Sequence, residues 1–129
     1  MLFKKTMADL EIKGKKIAAI IAIDVSEDTD INPEDNYDFG NEKENEAYLA
    51  RFKSGDLFMG QIRVIAYALG IKGVDYLGGC HLKSNNAYDS NPFNESVNET
   101  LLSYSMIENA LSDLEKNILN QASLLKDFV

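Results

Sequence analysis

The chain has 129 residues, 45% of them apolar and 26% charged, with 13 lysines and arginines against 21 acids. That length suits a single domain, residues 1–129, with one core, and charged residues interspersed with Ile, Leu and Phe exclude global disorder. The single cysteine, Cys80, excludes an intramolecular disulfide framework, and a net charge of −8 disfavours direct contact with DNA or RNA.

The chain starts Met1 to Lys16 with a mixture of charges and short apolar groups that predicts a short helix. The alternative is that Leu10 to Ile12 pairs with the next segment through a turn at Lys13-Gly14-Lys15. Asp9, Glu11, Lys13, Lys15 and Lys16 break up what a secretory signal would need as an apolar stretch. A cytoplasmic protein outside the membrane is therefore expected. Ile17 to Val25 is β-branched, apolar and free of turn residues, which predicts a strand buried on both faces or nearly so.

Between Asp24 and Glu46 lie ten acids and one base, Lys43, a local charge of −9 that leaves +1 for the rest of the chain. A segment of this sign attracts basic surfaces. Glu27, Asp28, Asp30, Glu34, Asp35, Asp38, Glu42 and Glu44 are its candidate contact residues for a basic protein partner. The plainer reading is a solvated loop that keeps the chain soluble. Asp28, Asp30 and Asn32 resemble the opening of a calcium loop, but Pro33 stands where the loop needs Gly and Phe39 where it needs Glu. No metal or cofactor is expected.

Asn41 to Lys53 predicts a helix with Ala47, Tyr48, Leu49 and Phe52 on its apolar side and Ser54-Gly55 as its stop. Leu57 to Leu69 predicts a strand with Phe58, Ile62, Val64, Ala66 and Ala68 on one face and Gln61, Arg63, Ile65 and Tyr67 on the other. Turn residues Gly70-Ile71-Lys72-Gly73 lead into a return strand, Val74 to Leu82, giving an antiparallel hairpin. Lys83 to Asn94 reads as a loop.

Ser96 and Glu99 have the spacing of a capping box. From there Val97, Leu101, Tyr104, Ile107, Leu111, Leu114, Ile118, Gln121 or Ala122, Leu125 and Phe128 recur at spacings of three and four to the chain end. One continuous helix over that range would be roughly 45 to 50 Å long, more than one small sheet needs. Its first half is expected in the core. Leu114, Ile118, Leu125 and Phe128, in its second half, are candidates for self-association as a homodimer. The fold class is thus α+β, a small antiparallel sheet of about three strands against a long C-terminal helix and one shorter helix.

Cys80 and His81 are adjacent and the only residues of their kinds, which suggests a nucleophile and base. Alternation along a strand sends them to opposite faces, so a buried thiol beside a half-exposed imidazole is the simpler expectation. The glycines at 70, 73, 78 and 79 lack the Lys and Ser or Thr of a phosphate loop and suit turns and close backbone approach. No catalytic residue is expected.

At Phe52-Lys53-Ser54-Gly55-Asp56 and Gly73-Val74-Asp75-Tyr76-Leu77-Gly78-Gly79 the chain resembles small phage and mobile-element proteins. The resemblance implies the context of anti-CRISPR, anti-restriction and similar anti-defence inhibitors, among them acidic mimics of DNA. A non-enzymatic inhibitor of a basic, nucleic-acid-handling protein is therefore the leading expectation. A homodimeric assembly protein or an immunity protein against a toxin is the alternative.

Overall fold

The computed structural model describes residues 2–29, 41–83, 95–126 and 128. Its elements are β1 (Leu2–Ile12), β2 (Lys15–Glu27), α1 (Glu42–Lys53), β3 (Leu57–Ala68), β4 (Ile71–Lys83), α2 (Glu95–Ser103) and α3 (Met106–Lys126). The fold is α+β: the four strands form one antiparallel sheet in the order β1-β2-β3-β4. No helix of the described residues is long and apolar enough to cross a membrane.

The N-terminal segment is a strand and not the short helix expected. Leu10 and Ile12 are buried while Asp9 and Glu11 are exposed, a period of two that matches a sheet with one covered face. Its link to β2 is the two-residue turn Lys13-Gly14, with φ of 51° and 78°. Leu69-Gly70, with φ of 55° and 73°, makes the same kind of turn between β3 and β4. Positive φ at both central positions is what a tight hairpin needs to match strand twist. Gly supplies the second position freely, but Leu69 is exposed and carries a side chain poorly suited to the first. Leu69→Asn is expected to raise stability by about 0.5 to 1 kcal/mol, read as a higher urea midpoint at unchanged slope.

The core lies between one sheet face and helices α2 and α3. Ala19, Ile21, Ile23 and Val25 of β2 and Ile62, Val64, Ala66 and Ala68 of β3 meet Val97, Leu101, Met106, Ala110, Leu114 and Ile118. The expected double burial of Ile17 to Val25 holds only in part: the odd positions from Ala19 to Val25 are buried, and on the other face Ala22 is buried while Ala18 and Ile20 are exposed. Both helices lie on the same side.

The single long helix is likewise corrected to two. Ser105, at φ 49°, ends α2, and its carbonyl accepts from Asn109 N at 2.9 Å to start α3. Asn109 Nδ2 also donates to the Tyr104 carbonyl at 3.0 Å. The break resets the helical phase, so Met106 enters the core and Tyr104 is exposed. Helix α2 begins at Glu95, which places Ser96 inside its first turn; the Ser96 hydroxyl accepts from Lys83 N at 3.0 Å, tying the helix to the end of β4.

Helix α3 crosses β4 where Gly73 lets the backbones touch: a Cβ there would collide with Leu114 N and the Ala110 carbonyl. The same helix guards the outer edge of β4 with residues spaced by four. Asp113 Oδ2 accepts from Val74 N at 2.9 Å, and Asn117 Nδ2 donates to the Lys72 carbonyl at 2.9 Å. One turn earlier, Asn109 Nδ2 donates to Asp75 Oδ2 at 3.2 Å. Side chains thus take the place of a fifth strand along that edge.

Candidate functional site: the uncovered sheet face

The strand register arranges the uncovered face in rows. Met7, Ile20, Tyr67 and Lys72 form one row, Lys5, Ala22, Ile65 and Val74 the next, and Asp24, Arg63 and Tyr76 the third, with Ser26 beside Gln61 beyond. Met7 is 63% exposed, Tyr76 54% and Ile20, Tyr67 and Val74 about two-fifths each. Contiguous exposed apolar and aromatic groups of this kind mark binding surfaces.

Ala22, small among larger neighbours, floors a hollow of about 490 Å³ walled by Lys5, Ile20, Ile65 and Tyr67. The Asp24 and Arg63 pair closes its end, with Arg63 Nη2 3.2 Å from Asp24 Oδ2. Beyond the pair is a second hollow of about 200 Å³ lined by polar groups. There Tyr76 Oη donates to Gln61 Oε1 at 2.7 Å, and Gln61 Nε2 donates to Ser26 Oγ at 2.9 Å. Asp24 Oδ1 is buried and has no hydrogen-bond partner among the described residues. A buried carboxylate oxygen without a donor is costly.

Helix α1 covers the far end of this face. Asn41 caps it by accepting from Glu44 N at 2.7 Å, and Gly55, at φ 81°, follows its C-terminus. Its Tyr48 and Phe52 rings both lie 5.7 Å from the His81 ring, and Tyr48 Oη is 3.4 Å from His81 Nδ1. Burial under these rings lowers the His81 pKa from its ordinary value. No residue of α1 is fully buried, and Ala47, expected on its apolar side, is exposed.

Cys80 and His81 do not meet as a catalytic pair. Cys80 belongs to the core on the helix side, whereas His81 lies under α1 on the other face. Burial, helped by the negative charge of Asp28, pushes the Cys80 thiol up to about 11, so it stays protonated at neutral pH.

The acidic contact candidates separate. Glu27 is exposed at the end of β2, and Glu42 and Glu44 are exposed in the first turn of α1. Asp28 is corrected: it is 7% exposed, its backbone N–H donates to Met59 O at 2.8 Å, and its Oδ2 accepts from Gly79 N at 3.0 Å. Gly78 and Gly79 form a bulge in β4, one residue longer than the facing stretch of β3, and the Asp28 carboxylate fills it. Asp30, Glu34, Asp35 and Asp38 lie outside the described residues, as does the rest of the calcium-like stretch from Asp30 onward. Among the described residues no three His, Cys, Asp or Glu side chains cluster as a metal site.

The self-association candidates separate as well. Leu114 and Ile118 are corrected to core residues, because the phase reset at Ser105 turns them onto the sheet. Leu125 and Phe128 are exposed, at 55% and 86%, where α3 runs past its last core contacts. Arg63, Tyr67, Tyr76 and Asp24 were not singled out as site residues from the sequence. Their alternation was legible, but which sheet face the helices leave bare was not. Comparison with protein-family models, with curated proteins and with solved structures gave no match.

Proposed function

We propose that this protein is a non-enzymatic inhibitor that binds a basic, nucleic-acid-handling protein through its uncovered sheet face and the acidic margin beside it. The observation that carries this reading is the partly exposed Asp24 carboxylate amid exposed Tyr67, Tyr76, Met7 and Ile20. A lysine or arginine from the partner would pair with the Asp24 carboxylate, whose side chain is 19% exposed, while its neighbours pack on the tyrosines, a residue type enriched at protein interfaces. Of the cations on the face, Lys5, Arg63 and Lys72, Arg63 is paired with Asp24, so attraction for a positive partner rests chiefly on the acidic margin. Exposed Glu27, Glu42 and Glu44 stand at the end of the sheet toward α1 and would steer a positive surface into place. Occupying that surface would deny it to nucleic acid, in keeping with the anti-defence context that the resemblance implies.

The test is affinity capture from a bacterial cell lysate, with the captured protein then purified and titrated by calorimetry. Three chains are compared: the native one, Asp24→Ala with Tyr67→Ala, and one in which Glu27, Glu42, Glu44, Asp30, Glu34, Asp35 and Asp38 are Gln or Asn. A nucleic-acid-binding protein of high isoelectric point should bind the native chain, and each variant should lose about tenfold or more in affinity. An acidic partner, or equal affinity for all three chains, would refute the reading.

A further inference from the structure

We propose that two copies of this chain pair edge to edge through β1, antiparallel about a two-fold axis at Met7, to form one eight-stranded sheet. The sheet has two edges, and the molecule treats them differently. The β4 edge is closed by Asp113 and Asn117 of α3, which bond the Val74 N–H and the Lys72 carbonyl. No described element pairs with the outer side of β1, the first strand in the order β1-β2-β3-β4. A long edge strand with open backbone groups is a template for a further strand.

The usual obstacles to such pairing are missing from the middle of β1. It contains no proline, its register with β2 is unbroken from Leu2↔Val25 to Ile12↔Lys15, and its inward positions from Thr6 to Ile12 carry no charge. The charges on its outward positions are polarised along the strand: Lys5 lies on one side of Met7, and Asp9 and Glu11 lie on the other. An antiparallel copy reverses that order. With Met7 opposite Met7 of the second copy, Lys5 stands directly opposite Asp9 of the second copy, and Asp9 opposite its Lys5. On the inward side Thr6 stands opposite Ala8, two small residues. Opposite charges placed directly across a strand pair attract and fix the register. The isologous contact closes on itself as a dimer, and α3 covers the start of the other edge of each sheet. It also sets two uncovered faces side by side.

Sedimentation equilibrium tests the proposal independently of any other partner. The native chain should approach twice the 14.4 kDa of one chain with rising concentration. Lys5→Glu and Asp9→Lys, each placing like charges across the edge, should weaken association about tenfold or more. An equimolar mixture of the two variants should recover it, because every cross-strand pair is then opposite in sign. Met7 is 63% exposed, so Met7→Cys should fold, and oxidation should link it to the second copy as a disulfide. Asp9→Cys should not link, since its two copies would lie on the order of 13 Å apart. Cys80, buried in the core, does not compete. A native chain that stays monomeric, single reversals that leave the dimer intact, or a mixture that fails to re-form it would each overturn the pairing.

Discussion

Gly73→Ala should lower stability by about 3 kcal/mol, the reverse of what adding a methyl group to a strand ordinarily does. Glycine inside a strand is entropically costly, and alanine at an unobstructed position would recover part of that loss. Position 73 is obstructed on its inward side. The added Cβ would meet Leu114 N and the Ala110 carbonyl and lie 2.6 Å from Leu114 Cα, all backbone atoms that no rotamer change can move. Helix α3 would have to lift from β4. Met106, Ala110, Leu114 and Ile118 would lose contact with the sheet, and the Asp113 and Asn117 bonds to the β4 edge would stretch together. Urea unfolding of Gly73→Ala should therefore show a large drop in midpoint, and hydrogen exchange should show lost protection at Val74 N–H. Gly14→Ala is the control, since nothing lies within 4 Å of its added Cβ and its only handicap is φ of 78°. That variant should lose only about 1 kcal/mol. Equal losses in the two would mean that α3 does not rest on Gly73.

How far the sequence carried the fold can be traced through particular residues. The β3 alternation from Ile62 to Ala68 named the inward and outward sides correctly, because period two survives whatever covers the sheet. The β2 segment misled for a related reason: Ile20 and Ala22 are as apolar as Ile21 and Ile23, yet Ile20 looks out onto a part of the face that no described helix covers. Apolar character on both sides of a strand predicts burial only if both sides have covers, and the number of helices on each side is a tertiary fact. The same gap hid the site. Arg63 and Tyr67 were visible as neighbours on one face, but their pairing with Asp24 and their exposure depend on that missing cover.

The break in the C-terminal helix had no punctuation to announce it. Ser103-Tyr104-Ser105 contains neither Gly nor Pro, and the three-and-four spacing runs through it by using Tyr104 where the folded chain uses Met106. Once the phase slips there, Leu114 and Ile118 turn inward, and among the described residues after the break the exposed large apolar ones are Leu124, Leu125 and Phe128. The buried acid in the acidic stretch was hidden by composition. Asp28 is one carboxylate among ten, and its role is set by a glycine bulge about fifty residues later.

Asp28→Ala should cost about 2 to 3 kcal/mol, in contrast to near-neutral effects of truncating Glu27, Glu42 or Glu44. The Asp28 carboxylate accepts from Gly79 N inside the β4 bulge, while its backbone N–H holds Met59 O of β3. Removing the side chain leaves the Gly79 N–H without this acceptor and opens space beside Gly78, whose Cα region the carboxylate approaches. Asp28→Asn keeps an acceptor and should lose about 1 kcal/mol. The two variants also separate the causes of the raised Cys80 pKa. Burial is the larger and the Asp28 charge the smaller, so Asp28→Asn should bring the thiol down from about 11 while leaving it above 9.0. Because the folded-state value lies above the unfolded one, the buried thiol's contribution to stability is intact below pH 9 and is lost as pH rises toward 11. That alkaline loss should be smaller in Asp28→Asn than in the native chain. Thermal melts across the alkaline range, with ultraviolet titration of the thiolate, would measure both effects. An Asp28→Ala chain with native stability, or a Cys80 titration unchanged in Asp28→Asn, would return Asp28 to the solvated surface acids.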